Sequence, residues 1–461
     1  MQIMEDNIEL DVNFINIAEQ VDSYNMINQI SLRNFKSYES ADIPLGPLTF
    51  LIGANASGKS NLLEAIRLLP WLANGGRLDD IARNIQRTEH WVRGQLSDWF
   101  RAPTDTISLG CQFSSMLDDW SVLKLSVSTI AHQLVVSAES VEKPTPKTIP
   151  LYKIVSDPNL HSDEIQVAYN NFKQGKNKPQ IPCSNRQAIF YQLLSPARFE
   201  SQNRESQKKI PYIATKIREQ LRKIVFLDPK PARMRSYSYI NDDILMEDGA
   251  NISSILFNIC QHRESKGLLL NFIRSLPEQN ISDIQFIRTD RKDVMVRLVE
   301  TFGGENRVMD APVLSDGTLR VLAVAGVLLS TPSYSLVIIE EIDNGIHPSR
   351  AENLVKQIKH IAKLNKLQVL VTTHNPALLD ALPNDTLADV LCCYRDLQQG
   401  DSRIVRLSDL EQFPELMAQG TLGELVTQQV LDRYLKDDTT EEERKQKALA
   451  WLEELKHEVG E

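Results

Sequence analysis

The spacing of apolar residues changes several times along the chain. Ile27 to Phe35 alternates apolar and polar residues, the mark of a half-buried strand. Pro44-Leu45-Gly46-Pro47 marks a turn, and the short apolar run Leu48 to Ile52 predicts a buried strand. The period then lengthens. Leu62, Leu63, Ile66 and Leu69 share one helical face, and Pro70 is expected to limit that helix. From Ile107 to Val141 the period returns towards two, in segments starting at Ile107, Val122 and Gln133, which predicts an antiparallel meander. Lys143 to Pro182 is rich in Pro, Asn and Lys and reads as loops with little core. A helical stripe follows between about Gln202 and Phe226, carried by Ile210, Ile213, Ile217, Leu221 and Ile224.

Further on, Asn251 to Cys260 reads as a helix capped by Asn251, and Ile281 to Val299 as strands. Leu319 to Leu329 is a buried helix and Ser335 to Ile339 a buried strand. Ala351 to Leu364 is an amphipathic helix and Leu367 to Thr372 another buried strand. This alternation implies a parallel sheet. The tail from Thr440 predicts a charged helix, with Thr440 and Glu443 spaced as a capping box. The overall expectation is an α/β chain with a mixed central sheet.

Composition narrows the function. The 461 residues allow one large domain or two to three ordinary ones, and 42% hydrophobic content with 7% aromatics suits an aliphatic α/β core. A net charge of −10 excludes a surface covered in non-specific DNA contacts, so any nucleic-acid surface must be local. The five cysteines lack metal-ligand or redox spacing and read as buried thiols in a reducing compartment. No signal peptide opens the chain, and its longest apolar stretch is too short to span a bilayer. A cytoplasmic protein without a membrane partner is expected.

Four motifs carry chemistry. Gly53-Ala54-Asn55-Ala56-Ser57-Gly58-Lys59-Ser60, followed by Asn61, is a phosphate-cradling loop between a strand and a helix. Its backbone N–H groups close around phosphates, Lys59 offers a charge to the β- and γ-phosphates, and Ser60 can ligate magnesium. The buried strand ending in Glu340-Glu341 sets one carboxylate, Glu340, at the metal and the other, Glu341, at the attacking water. Ser315-Asp316-Gly317 opens the long apolar helix and reads either as a phosphate-binding helix start or as an ordinary N-cap. His374, just past a buried strand, is either a γ-phosphate contact or a polar strand end.

Taken in order, these motifs resemble the RecF/SMC-like ABC-type ATPases, in particular the compact OLD and RecF types described as AAA domains. Ile30-Ser-Leu-Arg-Asn-Phe35-Lys-Ser, the phosphate loop, Leu314-Ser-Asp-Gly-Thr-Leu-Arg320, Glu340-Glu-Ile-Asp343-Asn-Gly-Ile-His347-Pro and Thr372-Thr-His-Asn-Pro carry the likeness. It is specific over about 27–66 and 313–380. It implies an ATPase head in two lobes, 27–145 and 301–435. Between them sits an inserted, mainly helical arm or lid, 146–300. An acidic extension, 1–26, precedes the head and a charged helix, 436–461, follows it.

The resemblance further implies two heads enclosing two ATP molecules with magnesium. Ser315 and Gly317 of one copy would complete the site built on Lys59 and Glu341 of the other, beside the D-loop residue Asp343. Two features depart from the family pattern. An Asp-Glu pair is usual where this chain has Glu340-Glu341, and the Q-loop glutamine has no convincing frame, Gln192 and Gln112 being the candidates.

About 250 residues separate Ser60 from Ser315, more than a transporter ATPase needs and fewer than a long coiled coil needs. Arg198 to Arg235 holds eleven bases and four acids, a local +7 that is either a nucleic-acid surface or a solvated helix face. The acids after His374 lack the Asp-x-Asp of a Toprim nuclease, so an effector nuclease or toxin is expected to act as a separate partner. The expected function is a magnesium-dependent ATPase acting as an anti-phage sensor. The alternatives are a RecF-like repair factor, a transporter subunit and a non-hydrolysing scaffold.

Overall fold

In the computed structural model the described residues are 26–81, 92–114, 119–145, 147–158, 162–175, 177–274, 280–342 and 351–436. The acidic extension before Met26, Asp343 and His347, and the charged tail after Lys436 lie outside them.

A six-stranded sheet forms the centre. Its order is Ile224–Leu227, Leu336–Ile339, Gln368–Thr373, Leu48–Ile52, Val390–Arg395 and Ser402–Arg406. All neighbours run parallel except the last pair, which forms a hairpin. Continuous apolar runs suit a sheet covered on both faces. Leu51, Ile338, Leu370 and Leu391 enter one core, whereas Phe50, Ile52, Ile339, Val371 and Cys392 enter the other. Successive side chains therefore feed opposite cores, as the pleat requires.

The first core is shared with helices Lys59–Ala73 and Arg204–Arg222 and with an eight-stranded antiparallel sheet. That sheet contains the expected meander strands Thr106–Phe113, Val122–Ile130 and Gln133–Glu142. It continues through Tyr152–Ile154, Glu164–Tyr169 and Gln180–Ser184, the stretch expected as loops. Ile165, Val167 and Tyr169 are buried at alternate positions, but six residues between turn-rich segments give too short a pattern to read. The second core is shared with helices Ile252–Cys260, Arg263–Ile273, Asp316–Ser330 and Ala351–Leu364. A small antiparallel sheet, including Ile281–Arg288 and Asp293–Phe302, packs beside them.

The segment expected as a mainly helical arm is divided among these layers. Residues to Ser184 extend the antiparallel sheet, and Ile224–Leu227 is an edge strand of the central sheet. Helix Arg204–Arg222 buries Ile210, Ile213, Ile217 and Leu221 beside the helix that follows the phosphate loop. Each such burial contributes about 1.5–3 kcal/mol, more than surface charges of about 0–1 kcal/mol return by pairing, so the apolar stripe fixes the helix in the core. Pro70 does not end its helix, which runs to Ala73.

Candidate functional site

Three adjacent parallel strands bring the expected motifs to one edge of the sheet. Leu336–Ile339 leads into Glu340-Glu341, Gln368–Thr373 into His374, and Leu48–Ile52 into the phosphate loop. Their registers align Ile339 with Val371 and Thr373 with Ile52. The carboxyl ends of parallel strands are where open α/β sheets hold ligands.

The loop's shape demands its glycines. Gly53 has φ +150°, and a Cβ there would lie 2.1 Å from the Cys393 carbonyl oxygen. Gly58 has φ +121°, and a Cβ there would lie 2.3 Å from the Ser402 hydroxyl. Asn55 and Ala56 are exposed at the tip, Ala56 with φ +64°. Lys59 bends back over the loop, its Nζ donating to the carbonyls of Gly53 at 2.5 Å and Ala54 at 3.0 Å. Ser60 is exposed at the helix start, and Asn61 donates to Ser37 Oγ at 2.9 Å.

The Ser57 hydroxyl is buried without a hydrogen-bond partner among the described residues. An unpaired buried hydroxyl in a glycine-bracketed loop between a strand and a helix fits an anion such as a phosphate. Ser60 Oγ and the Glu340 carboxylate are hard oxygen donors, which suits magnesium held by few protein ligands together with phosphate oxygens.

Glu340 is held by Arg67 of the loop's own helix. Arg67 Nη2 lies 2.7 Å from Glu340 Oε1 and 2.5 Å from Glu247 Oε1, while the guanidinium stacks 4.2 Å above the Phe226 ring. Burial pushes the Glu340 carboxyl above its ordinary range, and the Arg67 charge opposes that push. Burial also disfavours the Arg67 cation, but its bonds to Glu247 and Glu340 outweigh the effect and raise it. Glu341 sits exposed in a left-handed conformation, φ +45°, with its N–H bonded to Thr372 Oγ1 at 2.9 Å.

His374 is exposed and lines a cavity of ≈ 280 Å³ together with Gly53, Ala54 and Asn55. Thr427, Gln429 and Asp432 form its other wall, from helices after Gly420 that sequence reading missed.

Ser315 of the signature turn, the Ser315-Asp316-Gly317 motif, caps helix Asp316–Ser330, its hydroxyl accepting from Thr318 N–H at 3.1 Å. Asp316 accepts from Arg235 at 2.8 Å, and Arg235 also donates to the Leu314 carbonyl at 2.9 Å. Arg235 thus braces the signature turn. These bonds of Ser315 and Asp316 stay within the signature turn and Arg235, away from the phosphate loop, and Gly317 lies in the first turn of the same helix.

Two sequence expectations are redirected. Gln192 spends its side chain on the backbone of Ser184 and Gln187, and Gln112 lies within strand Thr106–Phe113. Much of the basic segment is spent internally. Arg198, Lys209, Lys216, Arg218, Lys223, Lys230, Arg233 and Arg235 have partners within the fold. Arg204, Lys208 and Arg222 remain as exposed bases of that helix.

Sequence reading also missed a second charged cluster. Glu64, buried on the phosphate-loop helix, pairs with Lys36 and with Arg93 Nε at 2.5 Å. A charged residue on the inward face of an apolar helix was the available signal for both Glu64 and Arg67.

Residues 29–100 match an AAA-domain family profile, and residues 152–380 match one described as "AAA domain, putative AbiEii toxin, Type IV TA system". An ATP/GTP phosphatase of Helicobacter pylori is 22% identical over 371 residues, covering 77% of this chain and 87% of that protein. The OLD nuclease of Thermus scotoductus is 43% identical over 44 residues, 10% of this chain and 8% of that protein. A RecF DNA replication and repair protein of Gloeobacter violaceus is 50% identical over 44 residues, 9% of this chain and 12% of that protein. Among solved structures, an SMC head bound to the C-terminal winged-helix domain of ScpA gives a TM-score of 0.45 at 15% identity, covering 82% of this chain and 97% of that one. No helix among the described residues is long and apolar enough to cross a membrane. Two AAA-domain matches, similarity to the phosphatase, OLD and RecF proteins, and a strand order that gathers phosphate loop, histidine and acid pair at one sheet edge make the chain similar to the RecF/SMC-like ABC-type ATPases.

Proposed function

We propose that the protein hydrolyses ATP with magnesium at a site shared between two copies, and that the cycle regulates a separate effector in anti-phage defence. The observation that carries the hydrolytic reading is the shared edge of Glu340-Glu341, His374 and Gly53 on three neighbouring strands.

The chain's residues divide the work. Backbone N–H groups from Asn55 to Ser60 cradle the phosphates, and Lys59 exchanges its loop carbonyls for the β- and γ-phosphates. Ser60 and Glu340 hold magnesium, which when bound neutralises developing charge on the phosphate oxygens. Glu341, exposed beyond the strand end, orients the attacking water and takes its proton. His374 contacts the γ-phosphate side of the cleft. Ser315, Asp316 and Gly317 present a helix start, with its positive dipole end, to the nucleotide of a second copy. Asp343 acts at that same junction.

The defence role rests on the match to the AbiEii-type description and on the likeness to an OLD nuclease. A RecF-like role in DNA repair is the second reading, favoured by the RecF likeness. Under either reading, nucleic acid meets the face bearing Arg204, Lys208 and Arg222. Glu341→Gln tests the enzymatic claim. It should bind ATP and lose turnover, and turnover equal to the wild type would remove Glu341 from the base role.

A further inference from the structure

One nitrogen, Arg67 Nη2, is bonded to two carboxylates that arrive from different parts of the chain. Glu340 ends a central strand, and Glu247 follows the exposed residues Ile244 and Met246. The Arg67 side chain is only 7% exposed, against 21% for Glu340 and 39% for Glu247. Buried cations are retained only when paired, because an unpaired one carries its whole desolvation penalty.

Resting on the assignment of Glu340 as a magnesium ligand, we propose that Glu247 is a positioning residue for metal capture: it keeps Arg67 paired while Glu340 turns from Arg67 to the metal. Because the two carboxylates share one nitrogen, releasing Glu340 leaves the guanidinium still bonded to Glu247 and still stacked on Phe226. Without Glu247, every metal-bound state strands a buried cation. Glu340 then stays with Arg67, and the metal loses a ligand.

The segment carrying Glu247 is built to hold that position. Asn251 accepts from the Met246 N–H at 2.8 Å and donates to the Ile244 carbonyl at 2.8 Å. The Glu247 carbonyl accepts from Asp228 N–H at 2.9 Å, at the end of edge strand Ile224–Leu227. Asn251 therefore spends its side chain on clamping the Glu247 turn rather than capping the helix it precedes. The charges count the same way. Glu340, Arg67 and Glu247 together carry one net negative charge, and Glu247→Gln cancels it.

The test is Mn2+ binding to the ATP-loaded full chain, read by electron paramagnetic resonance in a Glu341→Gln background that prevents turnover. Metal-free ATP binding and thermal unfolding are measured in parallel. Glu247→Gln should weaken Mn2+ binding about 10- to 100-fold, the range for residues that support a metal ligand, with metal-free ATP affinity within about twofold. Removing the cation as well, in Arg67→Met with Glu247→Gln, should recover Mn2+ binding. A purely structural role for Glu247 predicts the double variant to be the worse of the two. If Glu247→Gln fails to fold, Glu247→Asp, which keeps the charge on a shorter arm, should give an intermediate affinity. Unchanged Mn2+ affinity in Glu247→Gln or, failing that, in Glu247→Asp overturns the inference, as does a double variant no better than the single one. If the background protein itself binds no Mn2+ with ATP, the assignment of Glu340 and Ser60 fails instead.

Discussion

The Ser402 hydroxyl donates to the main-chain carbonyl of Ser57 at 2.6 Å, across 345 residues of sequence. Ser402 opens the last strand of the central sheet, and its hydroxyl also meets Ser37 Oγ at 2.7 Å. Its N–H bonds the Ser37 carbonyl at 2.7 Å. The phosphate loop is thus braced by Ser37, in the turn between strands Ile27–Phe35 and Tyr38–Pro44, and by the closing hairpin. Ser402→Ala should cost about 1–2 kcal/mol, the worth of a buried hydroxyl whose partners lose their donor. Denaturant unfolding measures that loss, and nucleotide titration should show weakened ATP binding in the same variant. Unchanged values in both would mean the brace is incidental.

Gly53→Ala should be more severe. The new Cβ would meet the Cys393 carbonyl at 2.1 Å in a backbone conformation that side chains rarely adopt. The expected loss is over about 2 kcal/mol of stability, with ATP binding abolished. Calorimetric unfolding and a fluorescent-nucleotide titration give the two readings.

Much of this site was legible because its parts are contiguous. A phosphate loop and an acid-ended strand each carry their geometry within eight residues or fewer. The pairing of Arg67 with Glu247 was not legible, because nothing near either one names a partner 180 residues away. The basic segment misled for a related reason. Its +7 is a sum over sequence, whereas Arg218 bonds the Ala73 carbonyl and Arg235 braces the signature turn. The strand Ile224–Leu227 was hidden because Ile224 continues the apolar spacing of the helix before it. Helix and strand share that residue's polarity, and tertiary pairing with Leu336–Ile339 decides between them.

A pH effect should arise at a carboxylate that takes no part in the site. Glu139 is fully buried and accepts from Tyr152 OH, Ile189 N–H and Phe190 N–H, each at 2.7 Å. Burial pushes its carboxyl from 4.5 up to about 7, against those three bonds. A carboxyl raised on folding contributes stability that is fully present below pH 4.5 and is lost as pH rises through about 7. The full span is about 3 kcal/mol. Urea unfolding of wild type and Glu139→Gln between pH 4.5 and 8 should show the wild type losing stability more steeply. Parallel pH profiles would show that Glu139 keeps its ordinary affinity for protons.

The central claim is that the phosphate loop is half of a site completed by another copy. Lys59→Ala disables the loop, and Ser315→Arg disables the signature. Each variant alone should be inactive. Mixed in equal amounts, half of the dimers pair one with the other, and each holds one intact site, so ATP hydrolysis should return to about a quarter of the wild-type rate. A mixture as inactive as its components, or a Ser315→Arg protein that hydrolyses ATP at the wild-type rate, would contradict the shared site.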